Sequence, residues 1–396
     1  MATSDSTALD AARRLAPELS ERAAEAEKLR TIPTDLVDKL RAAKLFRLGL
    51  PAALGGLECD PVTIVETMEE IARADGSAGW ITFIGSTNFS LAWLEQTVAK
   101  EMVAKRPDSI VAAGFAPTAT ARLDGDDLVV NGRWNFSSGA PHADWFMNGV
   151  LVMEGDALRM LPSGRPDWRF VFMPADQVKI VDTWHVAGLE GTGSHDVVAD
   201  SVRVPSERTL NPYFEPAVLD GPLYRLPYTS LLSVFMSAWP LGVARRALDE
   251  FAVLANKKSR SLIPGPVLAE DAAIEVEVAR AEAMVRSARA FFLETFGAMW
   301  DSVCAGDELS MPQRTASYLA ALNTAQASRA AVESVFGMAG AGAVFDSSPL
   351  QRCARDIMVG TQHIVWALGR WKTAGRVLLG LDHALDHTFP APAPRS

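Results

Sequence analysis

With 396 residues, 48% of them hydrophobic, the chain can bury one large core or two to three smaller ones. Its 38 basic and 48 acidic residues leave a formal charge of −10 without any basic run, which argues against a sequence-independent nucleic-acid binder that must displace counterions. Cys59, Cys304 and Cys353 stand far apart without a CxxC, so neither a disulfide framework nor a zinc site is expected, and a reducing cytoplasm fits.

The first ten residues are polar and acidic and carry no secretory signal. From Thr7 to Arg30, apolar positions at helical spacing (Leu9, Ala12, Leu15, Leu19) predict an amphipathic helix. Pro33 opens a second helix through Leu45, and Asp60-Pro61 supplies a cap and first-turn proline for a third, Val62 to Arg73. An unusually apolar fourth spans Ala78 to Leu94. Short β runs follow at Leu128–Val130, Phe146–Met153, Trp168–Met173, Val178–Val181 and Val197–Val204, a spacing that suggests a compact antiparallel barrel or sandwich. Prolines 212, 216, 222 and 227 then exclude regular helix. Beyond Thr229 four long helical patterns appear, Leu231–Lys258, Leu268–Cys304, Pro312–Gly337 and Leu350–Leu381, for which a bundle is the economical packing. The longest apolar run, Leu231–Ala244, is interrupted and too short for a membrane span of ~20 residues. The expected layout is mainly α with a central β domain: a helical domain over 1–115, a β-barrel over 116–210 and a C-terminal four-helix bundle over 211–396.

The stretch Arg133 to Val150, RWNFSSGAPHADWFMNGV, is the focus of the β region. The turn Asp124-Gly125-Asp126-Asp127 and the run Leu128-Val129-Val130 precede it, so Trp134, Phe136 and Trp145 belong to a hairpin-rich sheet, and Ser137, Ser138, Gly139, Pro141 and His142 fall where that sheet turns. Such a turn is either an ordinary one beside a core aromatic cluster or a cradle whose hydroxyls and backbone N–H groups meet a flat ligand. HExxH, GxSxG and GxxxxGK[ST] are all absent from the sequence. His142, His185 and His195 lack metal-ligand spacing, and no metal is expected.

The order W-x-F-x-SG-x-x-x-A-x-W in that stretch resembles the flavin-facing segment of the acyl-CoA dehydrogenase-like superfamily, in particular its two-component flavin-dependent monooxygenases. Two further runs agree in order. Asp182-Thr183-Trp184, Gly188-Leu189-Glu190-Gly191-Thr192-Gly193-Ser194-His195-Asp196-Val197 and Val204-Pro205 resemble one; Pro349-Leu350-Gln351-Arg352, Arg355-Asp356 and Gly360-Thr361-Gln362-His363 resemble the closing run. The loop Leu50–Gly56 is similar to the family's P-x-x-x-GG element. The resemblance covers nearly the whole chain and implies the acyl-CoA dehydrogenase-like fold, commonly a tetramer.

It also implies an activity. Many acyl-CoA dehydrogenases place a glutamate base before a GT pair near the end of the chain, and here Val359 precedes Gly360-Thr361. Glu250 or Glu333 remain as alternative bases. The monooxygenase branch implies reduced FAD or FMN, FADH2 favoured, delivered by a separate NAD(P)H:flavin reductase, and a C4a-hydroperoxyflavin that hydroxylates a small aromatic or heteroaromatic, phenolic or indolic, substrate with O2. N- and S-oxygenases share this architecture. The catalytic positions so implied are His363, Ser138 (or its neighbour Ser137) and Asn88, the last standing where many members carry a histidine. For the cofactor, the resemblance implies Trp134, Phe136, Ser137 and Ser138 at the isoalloxazine ring, Arg260 at a phosphate, and Gly340, in the Phe336–Gly340 stretch, near the cofactor of a neighbouring subunit. Arg355-Asp356 reads as a structural ion pair, and His363 is expected inside a long helix.

Overall fold

The computed structural model describes residues 5–104, 106, 108–259 and 266–381. The expected first helix is two, α1 (Asp5–Glu21) and α2 (Ala23–Leu29), and α3 (Thr34–Ala42) follows. In α4 (Pro61–Ala74) the Asp60 side chain accepts from the N–H groups of Val62 and Thr63, the capping read from the sequence. The apolar fourth segment is helical only as α5 (Gly76–Gly85) and tightens into 3-10 turns over Ser86–Trp93; α6 (Gln96–Ala104), not anticipated, completes this region.

Eight strands form the centre: β1 (Val111–Asp124), β2 (Asp127–Ser137), β3 (Trp145–Glu154), β4 (Ala157–Leu158), β5 (Trp168–Pro174), β6 (Lys179–Val181), β7 (His195–Pro205) and β8 (Thr209–Leu210). They make one sheet in the order β6-β7-β2-β1-β3-β5-β8, with β4 paired to β3. All pairs are antiparallel except β1 with β3. That exception departs from the antiparallel expectation for a simple reason. The chain returns along β2, crosses to the other edge of β1, and runs again in the direction of β1. One face gathers a core of its own, including Leu128, Val130, Trp134, Phe146, Val150, Val171, Met173 and Val197.

The C-terminal bundle comprises α7 (Tyr228–Ala255), α8 (Ala272–Ala305), α9 (Met311–Met338), α10 (Pro349–Gly360) and α11 (Leu368–Leu378). Helix α7 is buried on all sides over its first four turns, because α4, α9 and α10 pack around it. Its approach to α4 is close: a Cβ on Gly242 would stand 2.4 Å from the Glu69 carbonyl oxygen. The helix expected over Leu350–Leu381 is broken. Thr361, Gln362 and His363 leave it, a 3-10 turn spans Ile364–Trp366, and α11 starts afresh at Leu368.

Candidate active site: a tryptophan wall and a hydroxyl chain

The end of β2 leaves the regular ladder. Trp134 pairs with Val197 and Ser137 with His195, so three steps on β2 oppose two on β7 and one residue is extra. That bulge puts Phe136 at φ 62°, a left-handed conformation unusual for a bulky residue, and leaves its ring 69% exposed against the edge of Trp184 at 6.2 Å. Beyond it, Ser137 and Ser138 are buried, and Gly139 turns the chain at φ 72°. The turn is clamped from the N-terminal domain: Arg41 donates to the His142 carbonyl at 2.8 Å and to Asp144 at 2.8 Å.

Four hydroxyl and indole groups converge behind Ser138. Trp80 Nε1 on α5 donates to Ser138 Oγ at 3.0 Å, Ser138 Oγ meets Ser194 Oγ at 2.7 Å, and Ser194 Oγ meets Thr192 Oγ1 at 2.6 Å. Thr192 Oγ1 donates to the Leu189 carbonyl at 2.8 Å, which also accepts from Trp184 Nε1 at 3.0 Å. Leu189 itself sits at φ 56°, and its N–H donates to Asp356 Oδ1 at 2.6 Å, tying the Gly188–Ser194 loop to α10.

On the other side of Trp80 stands an aromatic wall. Its ring meets the edges of Trp239 at 5.0 Å and of His363 at 5.9 Å, and Trp366 lies 6.4 Å from Trp239 and 6.3 Å from His363. Trp239 is fixed by donating Nε1 to the Gly76 carbonyl at 2.7 Å. Gly360 exists for this ring: a Cβ there would lie 2.3 Å from the indole. His363, half-buried, caps the 3-10 turn, its Nδ1 accepting from the Val365 N–H at 3.2 Å. That bond assigns the proton of the neutral ring to Nε2. Desolvation, with a smaller contribution from the Arg370 guanidinium, pushes the imidazole down to about 4, so it stays neutral at pH 7. The site therefore offers an N–H donor and a serine oxygen on either side of one tryptophan.

Asp356 and Asp75 lie beneath the wall. Burial raises the first to about 7 and the second to about 6, against the favourable hydrogen bonds from Leu189 N–H and Ala78 N–H. The ion pair expected between Arg355 and Asp356 is not formed as such. Arg355 instead reaches Glu27 at 2.5 Å and Glu190 at 2.7 Å, while Asp356 accepts from the Leu189 N–H, so both residues hold the same loop. Glu250 and Glu333, the alternative bases, are each ion-paired within their own helix, to Arg246 and Arg329 at 2.8 and 2.7 Å.

Of the residues singled out from sequence, Ser137, Ser138, Phe136 and His363 come to this region. Three others do not join them. Trp134 is 1% exposed inside the sheet core, its Nε1 spent on the Gly149 carbonyl at 2.7 Å, which corrects its expected place against a cofactor ring. Asn88 commits its amide protons to the Phe46 and Ser109 carbonyls at 2.7 and 3.3 Å, so it has none left for a substrate. Gly340, whose expected cofactor belongs to a neighbouring subunit and not to this site, lies beside Lys258, which caps the Ala339 carbonyl at 2.7 Å. Arg260 lies outside the described residues. Sequence reasoning missed Thr192, Ser194 and Trp366 as site members. The small hydroxyl residues in GLEGTGS were a signal, since buried hydroxyls clustered in one loop need partners.

Two family models match the chain: the acyl-CoA dehydrogenase N-terminal domain over residues 4–102 and the acyl-CoA dehydrogenase C-terminal domain over 234–367. Among curated proteins, an indole-3-acetate monooxygenase of Pseudomonas putida is 35% identical over 91% of this chain and 90% of its own. The oxygenase subunit HsaA, a flavin-dependent monooxygenase of Rhodococcus jostii, is 30% identical over 88% of this chain and 92% of its own. Among solved structures, a 3-HSA hydroxylase from a Rhodococcus species superposes with a TM-score of 0.89 at 28% identity, covering 97% of this chain and 99% of that one. By sequence and by fold, the chain belongs to the acyl-CoA dehydrogenase superfamily, within its branch of flavin-dependent monooxygenase oxygenase components.

Proposed function

We propose that this chain takes reduced flavin, FADH2 in preference to reduced FMN, from a separate NAD(P)H:flavin reductase and uses O2 to hydroxylate a small aromatic or heteroaromatic substrate of the phenolic or indolic kind. The carrying observation is the pairing of a neutral His363, its Nε2 protonated, with Ser138 across Trp80. The residues fit a flavin: Ser137 Oγ is buried with no partner among the described residues, and Phe136 stands exposed beside Trp184. Bound reduced flavin supplies the electrons that activate O2. The chain's own groups then have defined tasks. Ser137, Ser138 and Phe136 bind and orient the ring system, and Trp80, Trp239 and Trp366 keep water out. His363, neutral and with Nδ1 engaged by the Val365 N–H, uses its Nε2–H to donate a hydrogen bond that holds and orients an oxygen set against it.

A dehydrogenase acting on acyl-CoA lacks support, because Val359 has no proton-accepting group and Glu250 and Glu333 are engaged by arginines. A homotetramer in the cytoplasm completes the proposal. It is supported by apolar side chains that the single chain leaves bare beside the site, Ile364 at 73% and Leu368 at 82% exposure. No helix among the described residues is long and apolar enough to cross a membrane. The test is turnover with reductase, NADH, FAD and 18O2 against a panel of indoles and phenols. A product carrying one 18O atom supports the reading; flavin reoxidation without labelled product from any member, together with bleaching of oxidised FAD by an acyl-CoA, removes it.

A further inference from the structure

We infer that Thr192 and Ser194 are positioning residues that force the Ser138 hydroxyl to present a lone pair, not a proton, and so make the site select reduced over oxidised flavin. This rests on the flavin reading above. The inference follows from counting protons along the chain of hydroxyls. A carbonyl only accepts, so the single proton of Thr192 is spent on the Leu189 oxygen at 2.8 Å. Thr192 Oγ1 must then accept from Ser194 at 2.6 Å, and Ser194, its own proton spent, must accept from Ser138 at 2.7 Å. Indole N–H only donates, so Trp80 fills one lone pair of Ser138 at 3.0 Å. One lone pair remains, and no proton.

The polarity is set from both ends by groups of one kind, a carbonyl that only accepts and an indole that only donates. Thr192, Ser194 and Ser138 are all buried, at 1%, 2% and 4% exposure, so bulk water does not scramble the order. The carbonyl end is held in place: Asp356 Oδ1 accepts from the Leu189 N–H, and the Trp184 indole and the Thr192 backbone N–H share the Leu189 oxygen. Any group set against Ser138 must therefore bring the proton. The central ring of a reduced isoalloxazine carries an N–H; the oxidised ring carries a bare nitrogen, and against it the Ser138 oxygen would face another acceptor.

The experiment compares dissociation constants of dithionite-reduced FAD under anaerobic conditions and of oxidised FAD, by titration, for the wild-type protein and for Thr192→Val, Ser194→Ala and Thr192→Ser. Thr192→Val removes the acceptor for Ser194 at nearly constant volume, freeing the chain to reverse so that Ser138 can donate. The ratio of oxidised to reduced dissociation constants is expected to fall about threefold to tenfold in Thr192→Val and in Ser194→Ala, the worth of one hydrogen bond. Thr192→Ser keeps the hydroxyl and is expected to restore the wild-type ratio. Equal weakening of both redox forms, or an unchanged ratio in the two variants, refutes the relay and leaves the flavin reading standing. Should Thr192→Val fail to fold, Ser194→Ala and the Thr192→Ser control decide the matter by themselves. Failure of the wild-type protein to bind either form would sink the flavin reading and the relay with it.

Discussion

His363 provides a prediction that needs neither flavin nor substrate. Its imidazole has an ordinary value of 6.5 and is pushed down to about 4 in the folded chain. A histidine depressed in this way costs nothing above its unfolded value, where both states are neutral. As pH falls below 6.5 the unfolded chain takes up the proton and the folded chain does not, so stability is lost between 6.5 and 4. From pH 7.5 to pH 5 the linkage amounts to about 2 kcal/mol, and the full shift of about 2.5 pH units corresponds to about 3 kcal/mol. Asp356 and Asp75 act in the opposite sense. Their raised values mean that the folded state gains protons before the unfolded one, so wild-type stability alone does not isolate the histidine. The comparison with His363→Asn does. Asparagine places an oxygen where Nδ1 caps the Val365 N–H and cannot titrate. Urea unfolding of both proteins at pH 7.5 and pH 5 should show the wild type losing about 2 kcal/mol more than the variant over that interval. Parallel pH profiles for the two proteins refute the desolvated, neutral imidazole.

The same His363→Asn protein should hydroxylate about a hundredfold more slowly while binding reduced flavin as the wild type does, measured as labelled product and as a dissociation constant. Asp356→Ala strands the Leu189 N–H and should lower stability by about 1–3 kcal/mol, whereas Asp356→Asn, which keeps an acceptor, should lose less; thermal melts at pH 7.5 separate them. Gly360→Ala drives a methyl into the Trp239 ring, 2.3 Å from its nearest atom, and should cost about 1–3 kcal/mol by the same melts. Ile364→Asp combined with Leu368→Lys should shift the protein toward smaller assemblies in light scattering; an unchanged mass would place the contacts between subunits elsewhere.

Much of the architecture was legible because local chemistry and tertiary packing agree. Asp60-Pro61 caps α4 as read, and β3 and β5 lie where the aromatic and β-branched runs put them. The exceptions have physical causes. β1 is central in the sheet yet reads VAAGFAPTATARLD, with glycine, proline and small residues where a strand signal wants branched ones, because its neighbours on both edges supply the bulk. The break after Gly360 has a single glycine as its only local signal; the Trp239 ring leaves no room for a side chain there, and His363 caps the next turn. Trp134 and Phe136 carry equal aromatic weight in the sequence, and only the bulge decides which faces inward. The family resemblance singled out Ser138 and His363, but the hydrogen bonds around them come from Val365, Trp80 and Ser194, which are remote in sequence from one another.

The contact between Asp356 and Leu189 matters to anyone recombining members of this family. The central sheet and the last helices look like separable modules, joined by a proline-rich stretch and divided by 167 positions at that bond. A chimera cut in the proline-rich stretch would nonetheless inherit its hydroxyl loop from one parent and the carboxylate that anchors it from the other. The loop and α10 need to travel together, and with them the Trp239 ring that packs on Gly360.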